Sequence, residues 1–440
     1  MEFVVVLSDS KIQDISDLIN RGRSYFLTYV DTLCDRIDNV ESKIRSLIVE
    51  ADRRSRLKRE ARALLEQYPD VDKRPPLFGI PVGIKDIFAV NGFETQCGSQ
   101  LPAHLFAGPE AHCVSALRQA GALIVGKTVS AEFAYFEPGP TRNPHNTNYT
   151  PGGSSSGSAA AVAAGLCALA LGTQTIGSVI RPAAYCGIIG FKPSCNRISS
   201  VGLIPYSVSA DQVGLFTQDV KGMEIASSIV CSEWNGTIHD TVGNGHPILG
   251  VPDGPYLEQA TQEGLSSFEN TILKLRDAGY TIRRLRMFED IDSISSHHRN
   301  MTAAEFSAVH ARWFSQYGDL YRPRTAEIFK LGGSLNEDKL RKGRTSRLSV
   351  RASIESLMDV KNIDAWISPA ATGTAPKGIT STGNPAMNLP WTHAGLPSIT
   401  IPSDKDNNGL PYGLQITTRF MDDEMLLLWA HDMEEMMRAL

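Results

Sequence analysis

The chain has 440 residues, of which 42% are hydrophobic and 21% are charged, and its formal net charge is −5. This length and composition allow a large buried core in one large domain or two smaller ones, and the negative charge argues against nucleic acid as a partner. We find no apolar span long enough for a membrane helix, and the opening MEFVVVLSDSK is too short and too acidic for a signal peptide. The composition therefore predicts a cytoplasmic protein with neither a membrane nor a nucleic-acid partner.

The first 74 residues are predicted to form a helical region that packs on the rest of the chain. Ile12, Ile15, Leu18 and Ile19 recur at helical spacing, and the mixed-charge run at 52–62 is typical of a solvated helix face. Two prolines at 75 and 76 end this region before an apolar segment begins.

That apolar segment, PLFGIPVGIKDIFAVNGF, is predicted to be a strand whose only charges are Lys85 and Asp86. A lysine drawn into the interior has a lowered pKa, which makes the neutral amine available as a base. The alternative is an ordinary solvated lysine. Further along, AHCVSALRQAG reads as a helix, and ALIVGKTV and HPILGVPDG read as strands. This alternation predicts an α/β sandwich with a largely internal sheet.

Residues 151–193 carry two hydroxyl clusters on glycine-rich turns. Gly152 and Gly153 precede three serines, the following AAAVAAGLCALAL is predicted to be one buried helix, and GTQTIGS forms a second turn that ends on Ser178. A flexible linker is the alternative for GGSSSGS alone, whereas a phosphate-binding loop lacks its lysine. Ser178 is thus a candidate nucleophile whose own N–H helps to bind an oxyanion.

A serine nucleophile needs a base, and the ten histidines show no distinctive spacing. Lys85 is the better candidate, because serine–lysine pairs are a known variant of the catalytic triad.

Five blocks of this sequence resemble the amidase signature family. They are GIPVGIKD at 79–86, GGSSSGSAAA at 152–161, residues 172–193, TGNPAMNLPWTHAGLPSITIP at 382–402, and GLPYGLQI at 409–416. The resemblance implies an α/β/α sandwich with a central mixed β-sheet covered by helices, formed by residues 75–440 as a single fold. Its substrate region would be variable at about 232–378, and the polar loop at 232–246 is the best internal boundary.

The resemblance also implies a Lys-Ser-Ser catalytic triad. Lys85 takes the position of the family's lysine, Ser154 that of its bridging serine after a cis peptide bond, and Ser178 that of its nucleophile. Four backbone N–H groups would form the oxyanion hole, those of Thr175, Ile176, Gly177 and Ser178. Gly153 and Ser155 would support the site, although Ser155 reads equally well as a structural turn hydroxyl.

The family's commonest pattern, GTDTGGSIRxP, reads GTQTIGSVIRP here. Gln174 therefore stands in place of an acid, Ile176 in place of a glycine, and Arg181 one position late, so that we assign no role to Arg181. Tyr135, Phe136 and Gln174 are candidate substrate-binding residues. Phe306 and His310, spaced on one helix face, are expected in the core.

These features predict an amidase that cleaves a small carboxamide or urea-like compound through an acyl-enzyme. The alternatives are the amidase subunit of a glutamine-dependent amidotransferase, an acyl-transferring enzyme that forms amides, and a non-catalytic binding protein. Seven cysteines without a CxxC pair and the adjacent His297 and His298 predict neither a disulfide framework nor a metal site, and no cofactor is implied. The expected partner is the small-molecule amide substrate, and a homodimer is left open.

Overall fold

The computed structural model of the protein describes residues 10–238 and 245–439. Within these ranges the chain forms ten strands and thirteen α-helices. The strands are β1 (Pro81–Lys85), β2 (Leu123–Thr128), β3 (Leu169–Gln174), β4 (Ile189–Lys192), β5 (Gln212–Thr217), β6 (Leu249–Asp253), β7 (Ile282–Arg286), β8 (Ala365–Pro369), β9 (Ser398–Lys405) and β10 (Pro411–Thr417). The helices are α1 (Ile12–Ile19), α2 (Arg23–Ile44), α3 (Arg53–Gln67), α4 (His112–Gln119), α5 (Ser156–Ala163), α6 (Ile180–Cys186), α7 (Val220–Val230), α8 (Gln262–Asp277), α9 (Ile291–Tyr317), α10 (Pro323–Gly333), α11 (Glu337–Lys361), α12 (Leu389–Ala394) and α13 (Asp423–Ala439).

The strands form one mixed sheet in the order β2-β1-β3-β5-β4-β9-β10-β8-β6-β7. Neighbours run parallel towards the two ends of the sheet, where β1 pairs with β2 and β3, and β6 pairs with β7 and β8. The central pairs run antiparallel. The predicted strands around Lys85 and within ALIVGKTV and HPILGVPDG correspond to β1, β2 and β6, and the predicted helix before β2 is α4.

The sheet lies between two helical layers, as β3 shows most clearly. Successive side chains of a strand point to opposite faces. Ala170 packs in a cluster with side chains of α2, α5 and α6, whereas Leu169 and Leu171 pack in the cluster that includes α4, α7 and α13. This arrangement confirms the predicted α/β/α sandwich with a central mixed sheet.

The apolar stretch at 159–171 is not the single buried helix that its composition predicts. α5 ends at Ala163, Gly165 adopts a left-handed φ of 65°, and the chain then enters β3 at Leu169. Between β1 and β5 the backbone of β3 gains hydrogen-bond partners on both edges, which helical backbone cannot provide to two neighbouring strands. Tertiary pairing therefore overrides the helix propensity of small apolar residues.

Helices α1 and α2 pack directly on the segment that leads into β1. Ile12, Ile15 and Ile19 are buried, and a Cβ at Gly79 would lie 2.6 Å from the ring of Phe26 in α2. The 1–74 and 75–440 division remains a prediction. Two segments discussed above, the opening MEFVVVLSDSK at 1–11 and the polar loop at 232–246, include residues 1–9 and 239–244, which lie outside the described ranges. Across the described residues, no helix combines the length and apolar character needed to cross a membrane.

Candidate active site

Lys85 is the last residue of β1 and reaches the end of the neighbouring parallel strand β3. Its Nζ lies 2.8 Å from Ser154 Oγ and 2.8 Å from Thr173 Oγ1. The side chain is fully buried, and this burial lowers its pKa from 10.5 to about 7 against the opposing negative charge of Asp211. A large fraction of Lys85 is therefore neutral near pH 7, as a general base requires.

Ser154 follows a cis peptide bond from Gly153, as the family resemblance implies. The turn before it is tight, because Gly152 has a φ of 83° and a Cβ there would lie 2.8 Å from Cα of Pro182. The Ser154 carbonyl accepts a hydrogen bond from Ala131 N at 3.0 Å. The Ser154 hydroxyl is thereby held beside Lys85 at the start of α5.

Ser178 lies in the loop that joins β3 to α6, and the backbone of this loop is closely packed. A Cβ at Gly177 would collide with Asn388 Oδ1. Asn388 in turn donates to Ala370 O and Gln415 Oε1 at 2.9 and 2.8 Å, which fixes its amide. Only glycine fits at position 177, one residue before the candidate nucleophile.

The backbone N–H groups of Thr175, Ile176, Gly177 and Ser178 donate to no acceptor among residues 10–238 and 245–439. All four residues line the same small cavity. Unpaired N–H donors on one loop around a hydroxyl are what an oxyanion hole provides.

Gln174 was predicted to bind substrate, but it does not line the cavity that contains Ser178. Its Oε1 accepts hydrogen bonds from Val179 N and Ile180 N at 2.8 and 3.0 Å, and its Nε2 donates to Thr392 Oγ1 at 2.9 Å. The side chain is fully buried and is not among the residues that line the cavity. Gln174 thus closes the loop that carries Ser178 onto the first turn of α6, because the amide satisfies N–H groups that a helix N-terminus leaves unpaired.

The predicted supporting residues hold the backbone around the triad positions. Ser155 Oγ donates to Thr173 O at 3.2 Å and accepts from Thr173 N at 3.3 Å. Thr173 is the second partner of Lys85, so that Ser155 positions the strand end that contacts the lysine. The Gly153 carbonyl accepts a hydrogen bond from Arg181 Nη2 at 2.6 Å.

The cavity between these groups has a volume of about 10 Å³, which is roughly the space of one water molecule. Twelve residues line it: Ala134, Tyr135, Phe136, Ser154, Thr175, Ile176, Gly177, Ser178, Arg181, Tyr206, Thr382 and Pro385. It thus brings together Ser154, the loop at 175–178 and the predicted substrate contacts Tyr135 and Phe136. The Ser178 hydroxyl makes no hydrogen bond to Ser154 in this conformation, and Lys85 lies behind Ser154.

Asp211, at the end of the loop before β5, is a site residue that sequence analysis missed. Its carboxylate accepts hydrogen bonds from Thr175 Oγ1 at 2.5 Å and from the N–H groups of Tyr206 and Ser207 at 2.7 and 3.0 Å. Burial raises its pKa to about 6, and these hydrogen bonds and the charge of Lys85 act in the opposite direction. No local motif marks Asp211, because its partners lie more than 30 residues away in the sequence or on backbone atoms.

Arg181 is the second missed residue, since the displaced motif gave no reason to assign it a role. It is 2% exposed, lines the cavity, and donates through Nη2 to Gly153 O and Thr382 Oγ1. Its position in the sequence could have indicated this. Arg181 lies three residues after Ser178, in the first turn of α6, so its side chain is close to Ser178 and to the turn at Gly153.

The remaining candidates lie away from this cavity. Phe306 and His310 are fully buried and stack on each other, as expected for core residues. His298 is buried against His393, and the described residues contain no group of three or more His, Cys, Asp or Glu side chains that could hold a metal ion. A larger open cleft of about 1130 Å³ includes Tyr185 and Gly383 but none of Lys85, Ser154 and Ser178.

The chain is similar to known proteins over nearly its whole length. The family model described as Amidase matches residues 28–427. A glutamyl-tRNA(Gln) amidotransferase subunit from Prochlorococcus marinus is 30% identical over 473 aligned positions, which cover 95% of each chain. A solved structure described as an amidase superimposes with a TM-score of 0.87 at 26% identity, covering 97% of this chain and 99% of that one.

The fold is shared more widely than the sequence. The peptide amidase of Stenotrophomonas maltophilia has a TM-score of 0.80 at 23% identity, with 98% of this chain and 97% of that chain covered. With a family match over nearly the whole described chain and this sheet topology, the protein belongs to the amidase family of enzymes that hydrolyse carbon–nitrogen bonds.

Proposed function

We propose that the protein hydrolyses the carbon–nitrogen bond of a small carboxamide or urea-like compound through an acyl-enzyme on Ser178. The observation that carries this proposal is the buried contact of 2.8 Å between Lys85 Nζ and Ser154 Oγ at the wall of a cavity that also contains Ser178. A neutral lysine beside a serine has no evident structural purpose in an apolar strand, whereas it suits proton transfer.

In the proposed mechanism, neutral Lys85 takes the proton of Ser154 while Ser154 takes the proton of Ser178. The Ser178 oxygen attacks the carbonyl carbon, and the carbonyl electron pair moves onto its oxygen, where the loop N–H groups stabilise the negative charge. The tetrahedral intermediate expels the amine, which receives a proton from Ser154. Ser154 is reprotonated by Lys85.

Water then enters and loses a proton to the same relay as it attacks the acyl carbon. Collapse of the second intermediate releases the carboxylic acid and restores the Ser178 hydroxyl. The transfer from Ser178 to Ser154 requires the two hydroxyls to approach more closely than they do in this conformation, and substrate binding is the event that brings this about.

The test is covalent labelling of Ser178. The purified chain and its Ser178→Ala variant are treated with a phosphonylating serine reagent, followed by intact mass and peptide mapping. We expect one adduct on Ser178 in the parent chain and none in the variant. An adduct elsewhere, or equal labelling of both proteins, would refute the assignment of the nucleophile.

A second candidate role is that of the amidase component of a glutamine-dependent amidotransferase. It is favoured by the 30% identity to the amidotransferase relative from Prochlorococcus marinus. In that role the same chemistry on glutamine would release ammonia for use by a partner protein.

The two roles are separated by comparing glutamine hydrolysis by the purified chain with its hydrolysis of simple aliphatic amides. Ammonia release from glutamine only in a co-purified complex would support the amidotransferase role. Turnover of other amides by the chain alone would support a free-standing amidase.

A further inference from the structure

Arg181 carries a buried positive charge for which the fold supplies no counter-ion. The guanidinium is 2% exposed, and among residues 10–238 and 245–439 no carboxylate lies within ion-pair distance of it. Its Nε and Nη1 have no hydrogen-bond partner. Burial lowers its pKa to about 10, so that the group is still charged at neutral pH. Buried charges in folded proteins are normally paired, because removing an unpaired charge from water is unfavourable.

This unpaired cation lines the catalytic cavity together with Ser154 and Ser178. Only Nη2 is committed to the protein, through Gly153 O at 2.6 Å and Thr382 Oγ1 at 3.3 Å. The planar guanidinium presents its remaining donors as a fork that fits a carboxylate in a two-point contact. We infer that Arg181 binds a carboxylate of the substrate, and that the substrate is a short amide carrying that carboxylate close to the scissile carbonyl.

The positions of Arg181 and Ser178 set the length of such a substrate. The two residues are three positions apart in the chain and line the same cavity, whose wall also includes Tyr135, Phe136 and Tyr206 and must move to admit a substrate, because the cavity volume is only about 10 Å³. Tyr135 is stacked on Tyr206, with ring centroids 5.4 Å apart. A carboxylate that reaches Arg181 while its amide reaches Ser178 must therefore be separated from that amide by only a few bonds.

The approach to the cavity has the same charge preference. Tyr135 and Phe136 also line an outer pocket of about 400 Å³ whose charged residues are Arg299, Arg324 and Glu327. Arg299 is exposed and has no ion-pair partner among the described residues. The excess of positive charge on this side favours the entry of anions over cations.

A purely structural role for Arg181 is the competing explanation, since its bond to the Gly153 carbonyl holds the turn before Ser154. The two roles differ in one measurable respect. A structural arginine affects charged and neutral ligands alike, whereas a binding arginine affects only ligands with a carboxylate.

The experiment measures binding by calorimetry to the Ser178→Ala protein, so that it does not depend on turnover. The probes are the C3 to C5 aliphatic dicarboxylates and the neutral diamides of the same chain lengths. We expect the dicarboxylates to bind at least tenfold more tightly than the diamides, and Arg181→Gln to remove this preference, in line with charge-assisted hydrogen bonds. Arg181→Lys should keep part of it. Arg74→Gln is the control, because Arg74 also has a buried Nε without a hydrogen-bond partner but lies in the N-terminal region.

Equal binding of dicarboxylates and diamides to the Ser178→Ala protein, or an unchanged preference after Arg181→Gln is added to it, would overturn the inference. The comparison of charged and neutral probes on the Ser178→Ala protein stands even if the protein with Arg181→Gln fails to fold. The inference rests on the proposed function for the identity of the cleaved bond, but the two fail separately. Dicarboxylate binding without any amide turnover or Ser178 labelling would refute the proposed mechanism but leave the anion site in place. Ser178 labelling, together with equal turnover rates for neutral amides and for amides that carry a carboxylate, would support the mechanism and refute the anion site.

Discussion

Replacing Lys85 with methionine should make the protein slower in catalysis and change how its stability depends on pH. The pKa of Lys85 is about 7 in the folded chain and 10.5 for an ordinary lysine. As the pH falls, Lys85 therefore takes up a proton in the unfolded chain before it does so in the folded chain. This difference destabilises the folded state, with no effect above pH 10.5 and the full effect below pH 7. Between pH 10 and pH 6 this difference lowers the free energy of unfolding by about 4 kcal/mol. Methionine does not titrate, so that the variant should lack this contribution.

The rate effect follows from the loss of the base. General-base catalysis contributes roughly 10²-fold to 10⁴-fold, and the Lys85→Met protein should label Ser178 with a phosphonylating reagent more slowly by about that factor. In the parent chain the labelling rate should rise with pH through about 7 and then level off, because only neutral Lys85 accepts a proton. The two measurements are labelling kinetics against pH and urea unfolding at pH 6 and pH 10.

Lys192 offers a matched control for this experiment. Burial lowers its pKa to about 7 as well, and its Nζ donates to Gln212 Oε1 and Leu396 O rather than into the cavity. Lys192→Met should therefore lose a similar pH-dependent destabilisation while Ser178 keeps its reactivity. A Lys85→Met protein that is labelled as fast as the parent, or that keeps the parent's pH dependence of unfolding, would refute the reasoning.

Three further substitutions test the surroundings of the site. Asp211→Asn removes a negative charge that raises the pKa of Lys85, so the pH–rate profile should shift to lower pH, whereas an unshifted profile would show that the two groups are not coupled. Gln174→Leu leaves N–H groups of the nucleophile loop without an acceptor and should lower the free energy of unfolding in urea by about 1–3 kcal/mol; no change would mean that water replaces the amide. Gly157→Ala drives a Cβ into Val129 N, a backbone atom that cannot turn away, and should destabilise the protein by about 1–3 kcal/mol or more, as thermal unfolding would reveal.

Much of the fold followed from local patterns. The apolar run around Lys85 predicted a strand, and the spacing of Ile12, Ile15 and Ile19 predicted a helix with one buried face; the structure contains both. The stretch at 159–171 could not be divided correctly, because alanine and leucine suit a buried helix and a central strand equally well. Only the pairing of β3 with β1 and β5 decides between them.

In the candidate site, too, some features could be predicted from local sequence and others depend on contacts between distant parts of the chain. The glycine-rich turn before Ser178 predicted that residue as a candidate nucleophile, whereas Ser154 was singled out among three neighbouring serines only by the family resemblance. The partners of these turns come from distant parts of the chain: Thr175 bonds to Asp211, and Gln174 bonds to Thr392. Because the sequence does not show these distant partners, Gln174 was predicted to bind substrate, whereas its amide forms hydrogen bonds within the protein.

Local sequence was enough to predict candidate reactive residues, namely a lysine in an apolar strand and a serine on a tight turn, because apolar flanks and glycine turns are properties of short segments. Which charges remain unpaired was set only by packing across the fold. Lys85 and Arg181 are both buried basic side chains, and their environments differ because hydrogen-bond partners and counter-ions come from distant parts of the chain. The pKa of Lys85 and the open donors of Arg181 therefore depend on long-range contacts that no local pattern encodes.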